Sequence, residues 1–285
     1  MKTLFFVDSS YLTLYHHFAT LRWIKFNPMM NYNDNYQKLY FKTIRNVIDK
    51  YTNKNEYNVI FANDTRRENM WRRQYHNLYK KDKTMNETIT TIFDTTQNRV
   101  IPALFEELRT KSQMNNGNSV YHKKCEADDI IAIAHGYIRK NEKQPHKIVI
   151  ISSDNDYIQL LDNNTIITSF YNGNILEKKM KGNMIVCTHI NNKLHGVAPI
   201  EYLFTKIMNG SKSSGISPVI YNYGLKTCIS ILNDQQKIDE LRQMLSGDLY
   251  LSKKFIINKT LFDFNCIPDD IVKDIENTMV AIDVI

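Results

Sequence analysis

An α/β fold, with a parallel central sheet flanked by helices and a helical C-terminal third, is predicted by three features of the chain. Four short apolar segments carry carboxylates at one end: LFFVD at 4–8, VIFAND at 59–64, CEADDIIAIA at 125–134 and IVIISSDND at 148–156. Strand-like and helix-like patterns alternate as far as Leu161, the signature of βαβ units. From Pro199 onward the apolar spacing is helical.

The elements follow in order. Leu4–Val7 reads as a buried strand ending at Asp8. Asn35–Tyr51 sets Leu39, Ile44, Val47, Ile48 and Tyr51 at helical spacing. Tyr57–Ala62 is a second buried strand, ending at Asn63–Asp64. Residues 65–95 are polar, basic and nearly free of aliphatics. Thr96–Lys111 predicts a helix with a kink at Pro102. Asn115–Asn118 is a loop and Ser119–His122 a short strand. Ala127–Arg139 is a helix whose apolar face carries Ile130, Ile131, Ile133 and Ala134. Lys147–Ser152 is the most hydrophobic strand. Thr165–Phe170, Asn174–Lys178 and Met184–Cys187 read as short strands, with a turn at Asn172–Gly173. Helices are expected at Pro199–Met208, Val219–Leu232 (interrupted near Gly224), Gln235–Gly247 and Asp269–Val280. No internal repeat or low-complexity tail is evident.

The 285 residues suit one large domain or two small ones, and 42% hydrophobic content is enough for a core. The apolar stretches are too short to span a bilayer, and no signal-peptide pattern opens the sequence, so a cytoplasmic setting and no membrane partner are expected. The four cysteines are widely spaced without a CxxC pair, which reads as free thiols in a reducing compartment and speaks against structural zinc. The eight histidines show no metal-ligand spacing. A net charge of +7, despite the acidic segments, concentrates basic charge elsewhere and suits a polyanionic partner.

Asp8, Asp64, Glu126, Asp128, Asp129, Asp154 and Asp156 are seven acids at predicted strand ends or helix starts. The strand ends of a parallel sheet share one edge, where ligands gather. Carboxylates brought together repel unless cations neutralise them. An all-oxygen donor set favours magnesium or manganese over zinc, and such ions commonly serve phosphodiester chemistry. Helix capping is the competing account. It explains one acid per helix start, not three at 126–129 or two at 154–156.

Arg66, Arg67, Arg72, Arg73, Lys80, Lys81 and Lys83 lie within eighteen residues, with Trp71, Tyr75 and Tyr79 interleaved at four-residue spacing. If helical, the segment sets a stacking stripe beside a cationic one, suited to unpaired bases and phosphates. The alternative is a solvated helix whose aromatic stripe packs on the body. Its position just after Asp64 favours gripping a substrate. Residues 209–219, with Lys212, link two predicted helices. Gly224, Lys226 and Thr227 then open a helical stretch whose backbone N–H groups are suited to a phosphate, or form an ordinary turn.

Taken together, FFVDSS at 5–10, D-x6-WRR-x5-YKK at 64–81, CEADDIIAIA at 125–134, IVIISSDNDYIQLL at 148–161, KIMNGSKSSGISPV at 206–219 and FNCIPDDI at 264–271 resemble the 5′-nuclease superfamily. This is the group of flap endonucleases and 5′→3′ exonucleases with a PIN-like core, and the T-even phage ribonuclease H branch is most similar. The ordered set spans nearly the whole chain. The resemblance implies a PIN-like core at 1–190 with residues 65–95 as a helical arch. It also implies a helical DNA-binding subdomain at 191–285, with a helix-turn-helix-like region at 199–232. It implies a Mg²⁺- or Mn²⁺-dependent nuclease, monomeric, acting on 5′ flaps or RNA–DNA hybrids in DNA replication. Replication proteins (a single-strand-binding protein or a clamp) are the implied partners, and a viral replication system in a host cytoplasm the implied setting. The seven acids match the family's metal-site acids, and Arg72 and Lys83 are assigned to the scissile phosphate. The 209–227 region matches an element that grips duplex backbone with a potassium ion.

One departure bears on activity. Where the family reads G-D-x-x-D, this chain has Gly210-Ser211-Lys212-Ser213-Ser214. Serine hydroxyls are neutral and cannot replace two negative charges, so a weakened second metal site is expected. Two further readings follow: a catalytically impaired flap- or junction-binding protein of the same fold, and a small PIN-type ribonuclease. The last leaves the basic segment and the helical third without a role.

Overall fold

The computed structural model describes residues 2–52, 56–80, 87–112, 114–188 and 192–285. Strands β1 (Thr3–Asp8), β2 (Tyr57–Asn63), β3 (Met114–Tyr121), β4 (Lys147–Ile151), β5 (Thr165–Tyr171), β6 (Asn174–Lys181) and β7 (Met184–Cys187) form one sheet in the order β3-β2-β1-β4-β5-β6-β7. Pairing is parallel from β3 to β5, and β6 and β7 add antiparallel. Asn172 and Gly173 turn the β5–β6 hairpin with both φ positive, the pair of left-handed residues such a two-residue turn needs. The chain winds outward through β2 and β3 on one side of β1, then through β4 and β5 on the other. The reversal lies between β1 and β4, and the carboxyl edge there is where a ligand crevice forms in open α/β sheets.

Alternation along β1 splits the core. Phe5 and Val7 face α2 (Tyr32–Thr52) and α4 (Ile101–Lys111), while Leu4 and Phe6 face α5 (Ala127–Asn141) and α10 (Asp269–Ala281). Helices α6 (Pro199–Asn209), α7 (Leu225–Leu232), α8 (Gln235–Gly247) and α9 (Leu249–Phe262) form smaller apolar clusters beside this core. Helix α10 is not part of that group. It packs on α5 within the main core, and the Asn58 side-chain amide donates to the Val284 carbonyl at 3.1 Å. The C-terminal third therefore divides between the helical cluster and the sheet.

Most predicted elements are present within a few residues, while six stretches differ. Asn115–Asn118, expected as a loop, belongs to β3, where the backbone of these polar residues pairs with β2 at the sheet edge. Helix α1 (Ser9–Phe26) and α9 occupy stretches for which no element was expected. Thr96–Lys111 is the end of a longer helical run. Helix α3 (Glu87–Thr95) leads through a π turn at Thr96–Val100 into α4, and Pro102 sits in the first turn of α4, directly after that π turn. Val219–Gly224 is not helical, because α7 begins only at Leu225 with Gly224 as its cap. Residues 66–80 form two short 3₁₀ turns (Arg67–Asn69, Trp71–Gln74) and further turns, not a continuous helix. Trp71 is drawn into the main core and Tyr79 into the cluster with α6 and α9, which overrides the four-residue spacing.

Candidate active site

Each acid stands where its element ends or begins. Asp8 closes β1 and caps α1, accepting from the Tyr11 N–H at 3.0 Å. Its other oxygen accepts from the Ser152 hydroxyl at 2.9 Å. Asp64 follows β2 and accepts from the Ser10 hydroxyl and, at 2.7 Å, from the Ala127 N–H at the start of α5. Glu126 is the cap residue of α5, and Asp154 follows β4 and accepts from the Asp156 N–H at 2.9 Å. Asp8, Asp64, Glu126, Asp128 and Asp154 line one cavity of about 510 Å³ with Lys80 at its wall. Acids widely separated in sequence thus meet at the sheet's switch point.

The remaining two acids have other partners. Asp129 is fully buried. It accepts from the Trp71 indole at 3.0 Å, from Arg72 at 2.9 Å and from the Glu126 N–H at 3.0 Å. The last bond completes a capping box, so the capping account holds for Asp129. Asp156 is paired with the Lys206 ammonium of α6.

Electrostatics single out the cavity. Burial, then the charge of Asp64, pushes Asp8 up to about 7. Burial, with the Glu126 charge second, also raises Asp64. Burial lifts Asp128 well above the carboxylate range, and Arg72 offsets only part of this. Glu126 goes the other way: burial opposes its charge, but Lys80 and Arg72 outweigh burial and hold it ionised. Crowded carboxylates with too little positive charge around them fit a divalent cation. Glu126, Asp128 and Asp129 also place one oxygen each within 4.8 Å of one another. Asp129, held by Arg72 and Trp71, lines no part of the cavity, so the residues that would hold a cation are Asp8, Asp64, Glu126 and Asp128.

This predicts a pH dependence. Asp8 binds its proton more tightly folded than unfolded, so between about pH 4 and 7 the folded state holds the extra proton and is favoured by it. That advantage is lost as pH rises through the folded value. In EDTA, the thermal midpoint should fall between pH 5 and pH 8, and Mg²⁺ at pH 8 should restore it. A midpoint that rises over this interval in EDTA would contradict the crowding.

The basic segment is rearranged relative to expectation. Arg72, assigned from sequence to the scissile phosphate, is 2% exposed. It pairs with Glu126 at 3.1 Å and Asp129 at 2.7 Å, lies 3.7 Å from Asp128, and donates to the Leu261 carbonyl at 2.9 Å. It is a clamp behind the acids, not a cation facing solvent. Trp71 and Tyr79 are buried too, Tyr79 donating to Glu126 at 2.9 Å. Of the three aromatics only Tyr75 is exposed, so the packed alternative describes Trp71 and Tyr79. Lys80, at φ 51°, turns its ammonium onto Glu126 from the cavity wall. Arg67 has a buried Nη1 without a hydrogen-bond partner among the described residues, near enough to Asp64 and Glu126 to feel their charge. Arg66 is exposed and Arg73 half-buried. Lys81 and Lys83 lie outside the described residues.

The loop after α6 packs on this segment. The Lys80 N–H donates to the Ser214 carbonyl at 3.1 Å, and His76 meets the Gly215 carbonyl at 3.0 Å. Gly215 has φ 73°, and a Cβ there would lie 2.9 Å from the Leu78 carbonyl oxygen, so the contact demands glycine. The hydroxyls of Ser211, Ser213 and Ser214 bond one another at 3.1 and 3.2 Å. Lys212, Gly224, Lys226 and Thr227 are exposed, the last two in the first turn of α7. Sequence reasoning missed the supporting hydroxyls of Ser10 and Ser152. Their signal was position: each stands two residues from a site acid, in VDSS and SSD.

An open α/β sheet with clustered carboxylates at its switch point defines the class of α/β folds with an acidic crevice suited to a divalent cation. Residues 3–190 match the family described as 5′-3′ exonuclease, N-terminal resolvase-like domain, and the chain belongs to that family. A 5′-3′ exonuclease of Buchnera aphidicola subsp. Acyrthosiphon pisum (strain APS) is 27% identical over 203 residues, 70% of this chain. The chain spans 60% of that relative's length. Among solved structures, the D15 protein of T5 co-crystallised with metal ions covers 99% of both chains at TM-score 0.62 and 15% identity. The T5 5′-exonuclease with zinc bound gives the same TM-score and coverage at 16% identity. So does a bacteriophage T5 D15 flap endonuclease complex with DNA and metal ions. These likenesses establish the fold.

Proposed function

We propose that the protein is a structure-specific 5′ nuclease that hydrolyses phosphodiester bonds with Mg²⁺ or Mn²⁺, removing RNA primers or 5′ flaps during DNA replication. The observation that carries this is the single cavity lined by Asp8, Asp64, Glu126, Asp128 and Asp154 with Lys80 at its wall. A divalent cation held by the first four would supply a Lewis acid and lower the pKa of a bound water. Lys80 and Arg67 hold the phosphate of the 5′ strand, Lys80 exchanging Glu126 for it. Arg72 keeps Glu126 ionised and oriented. Arg66, Arg73 and Tyr75 guide the strand toward the cavity. Lys212 and the first turn of α7 (Lys226, Thr227) hold duplex backbone, with K⁺ as the ion of that element. The protein acts as a monomer beside replication proteins, in the cytoplasm of a host.

A second reading, a flap- or junction-binding protein with little cleavage, is favoured by one observation. Where a second cation would need acids, Asp156 is neutralised by Lys206, and Ser211 and Ser214 present neutral hydroxyls that satisfy one another. The residues present fit one cation and not two.

Both readings are tested with 5′-labelled flap DNA and RNA–DNA hybrid in Mg²⁺ or Mn²⁺. The nuclease reading expects cleavage by the wild-type protein. Restoring two charges with Ser211→Asp and Ser214→Asp should raise the rate by about 10²-fold or more, as one recovered electrostatic group commonly does. Tight binding with no cleavage by either protein would leave only the second reading.

A further inference from the structure

Beyond Leu12, which is buried in the core, helix α1 is inside out. It buries Ser9, Thr13, His16 and Thr20, and it exposes Leu21, Trp23 and Phe26. Trp23 is 55% exposed and Phe26 85%. Surface helices ordinarily turn their apolar stripe inward, and contiguous aromatic surface left in water marks an interaction site. These rings stand in a groove. Phe18, Arg22, Trp23 and Phe26 of α1 face Leu39 and Lys42 of α2 across a cavity of about 710 Å³, which the Asn172–Gly173 turn also lines.

Two properties say what the groove takes. First, it adjoins the acid cavity, because Tyr15 and Phe18 line both. From Tyr15 to Phe26 the helix advances about 17 Å, leading away from the carboxylates. Second, its charge has one sign: Arg22 and Lys42 line it, and no carboxylate does among the described residues. A second copy presenting the same face would set these cations against themselves. Flat apolar rings beside cations match unpaired bases and their phosphates.

We infer that this groove binds unpaired nucleotides of the substrate strand, with bases stacked on Phe18, Trp23 and Phe26 and phosphates held by Arg22 and Lys42. The inference rests on the 5′-nuclease reading for the identity of that strand and adds a binding track outside the acid cavity.

Tryptophan emission tests it directly. The chain has two tryptophans, and Trp71 is only 1% exposed, so Trp23 reports on the groove. Oligothymidylate added to the protein in EDTA should quench this emission, and Trp23→Phe should remove the quench. The double variant Trp23→Ala with Phe26→Ala should bind labelled oligothymidylate about tenfold or more weakly by anisotropy, the usual effect of losing base stacking. Arg22→Glu should weaken binding and flatten its salt dependence. Emission unmoved at an oligonucleotide concentration that saturates anisotropy would overturn the inference. So would equal quenching by a blunt duplex, or a double variant with unchanged affinity and a lower sedimentation coefficient, which would assign the face to a second copy. Flap cleavage without quenching would remove the groove and leave the nuclease. Quenching with no cleavage in any divalent metal would remove the nuclease and leave the groove as a strand-binding site.

Discussion

Asp64→Asn should lower flap cleavage by about 10²–10³-fold or more while leaving the protein folded. Asparagine keeps Oδ1 to accept from the Ala127 N–H, and its amide NH2 replaces the second oxygen and donates to the Ser10 hydroxyl, which turns to accept, so both local contacts survive. What is lost is the negative charge that would hold the cation, and removal of a single electrostatic group from a transition state commonly costs this much. The same charge is unfavourable in the empty site, since burial and Glu126 both raise the Asp64 pKa. Metal-free Asp64→Asn should therefore melt above the metal-free wild type, a trade of stability for function. Calorimetric titration with Mg²⁺ should show weaker binding. Wild-type cleavage rates in this variant would remove Asp64 from the chemistry.

Arg72→Ala should destabilise the fold by about 3–5 kcal/mol, the cost of removing one partner from a buried ionic network. Arg72 touches Glu126 and Asp129 and lies 3.7 Å from Asp128, at 3% side-chain exposure. Without it Glu126 keeps Lys80, Asp129 keeps the neutral Trp71 indole and Glu126 N–H donors, and the Leu261 carbonyl loses its donor. For a chain of this size the midpoint should drop by roughly 10 °C. The loss should shrink as pH falls and the carboxylates take up protons. Arg72→Lys restores charge but not the fork that reaches several oxygens at once, so it should recover only part of the stability. A midpoint within about 2 °C of wild type would mean that the network contributes little.

The legible parts of this chain are those where one physical signal dominates. β1, β2 and β4 are continuous apolar runs ended by a carboxylate, and that pattern points both to the strands and to the shared edge of Asp8, Asp64 and Asp154. Helix α1 was illegible because Ser9, Thr13, His16, His17 and Thr20 are buried while Phe18, Trp23 and Phe26 are exposed, which removes the periodicity on which a helix is recognised. Helix α9 was illegible for a different reason. Leu261 and Phe262 pack toward α6, and Phe255 also reaches the cluster containing Leu241 of α8, so no single stripe emerges. In the site, residue types located the acids but could not divide them. Spacing alone does not tell Asp128, which lines the cavity, from its neighbour Asp129, locked beneath by Arg72 and Trp71. The reading of Arg72 failed similarly, because a run of arginines looks solvated until the acids opposite one of them are placed.

The return of α10 to the sheet has a consequence for biosynthesis. Ile271, Ile275 and Met279 complete the apolar layer over β1 and β4, and Asn58 and Asn116 in the earlier strands bond to the carbonyls of Val284 and Ile282. A ribosome-bound nascent chain without α10 leaves the part of that face beside α5 uncovered, however many strands have emerged. Completion of that apolar layer thus waits until residues 269–285 have left the ribosome.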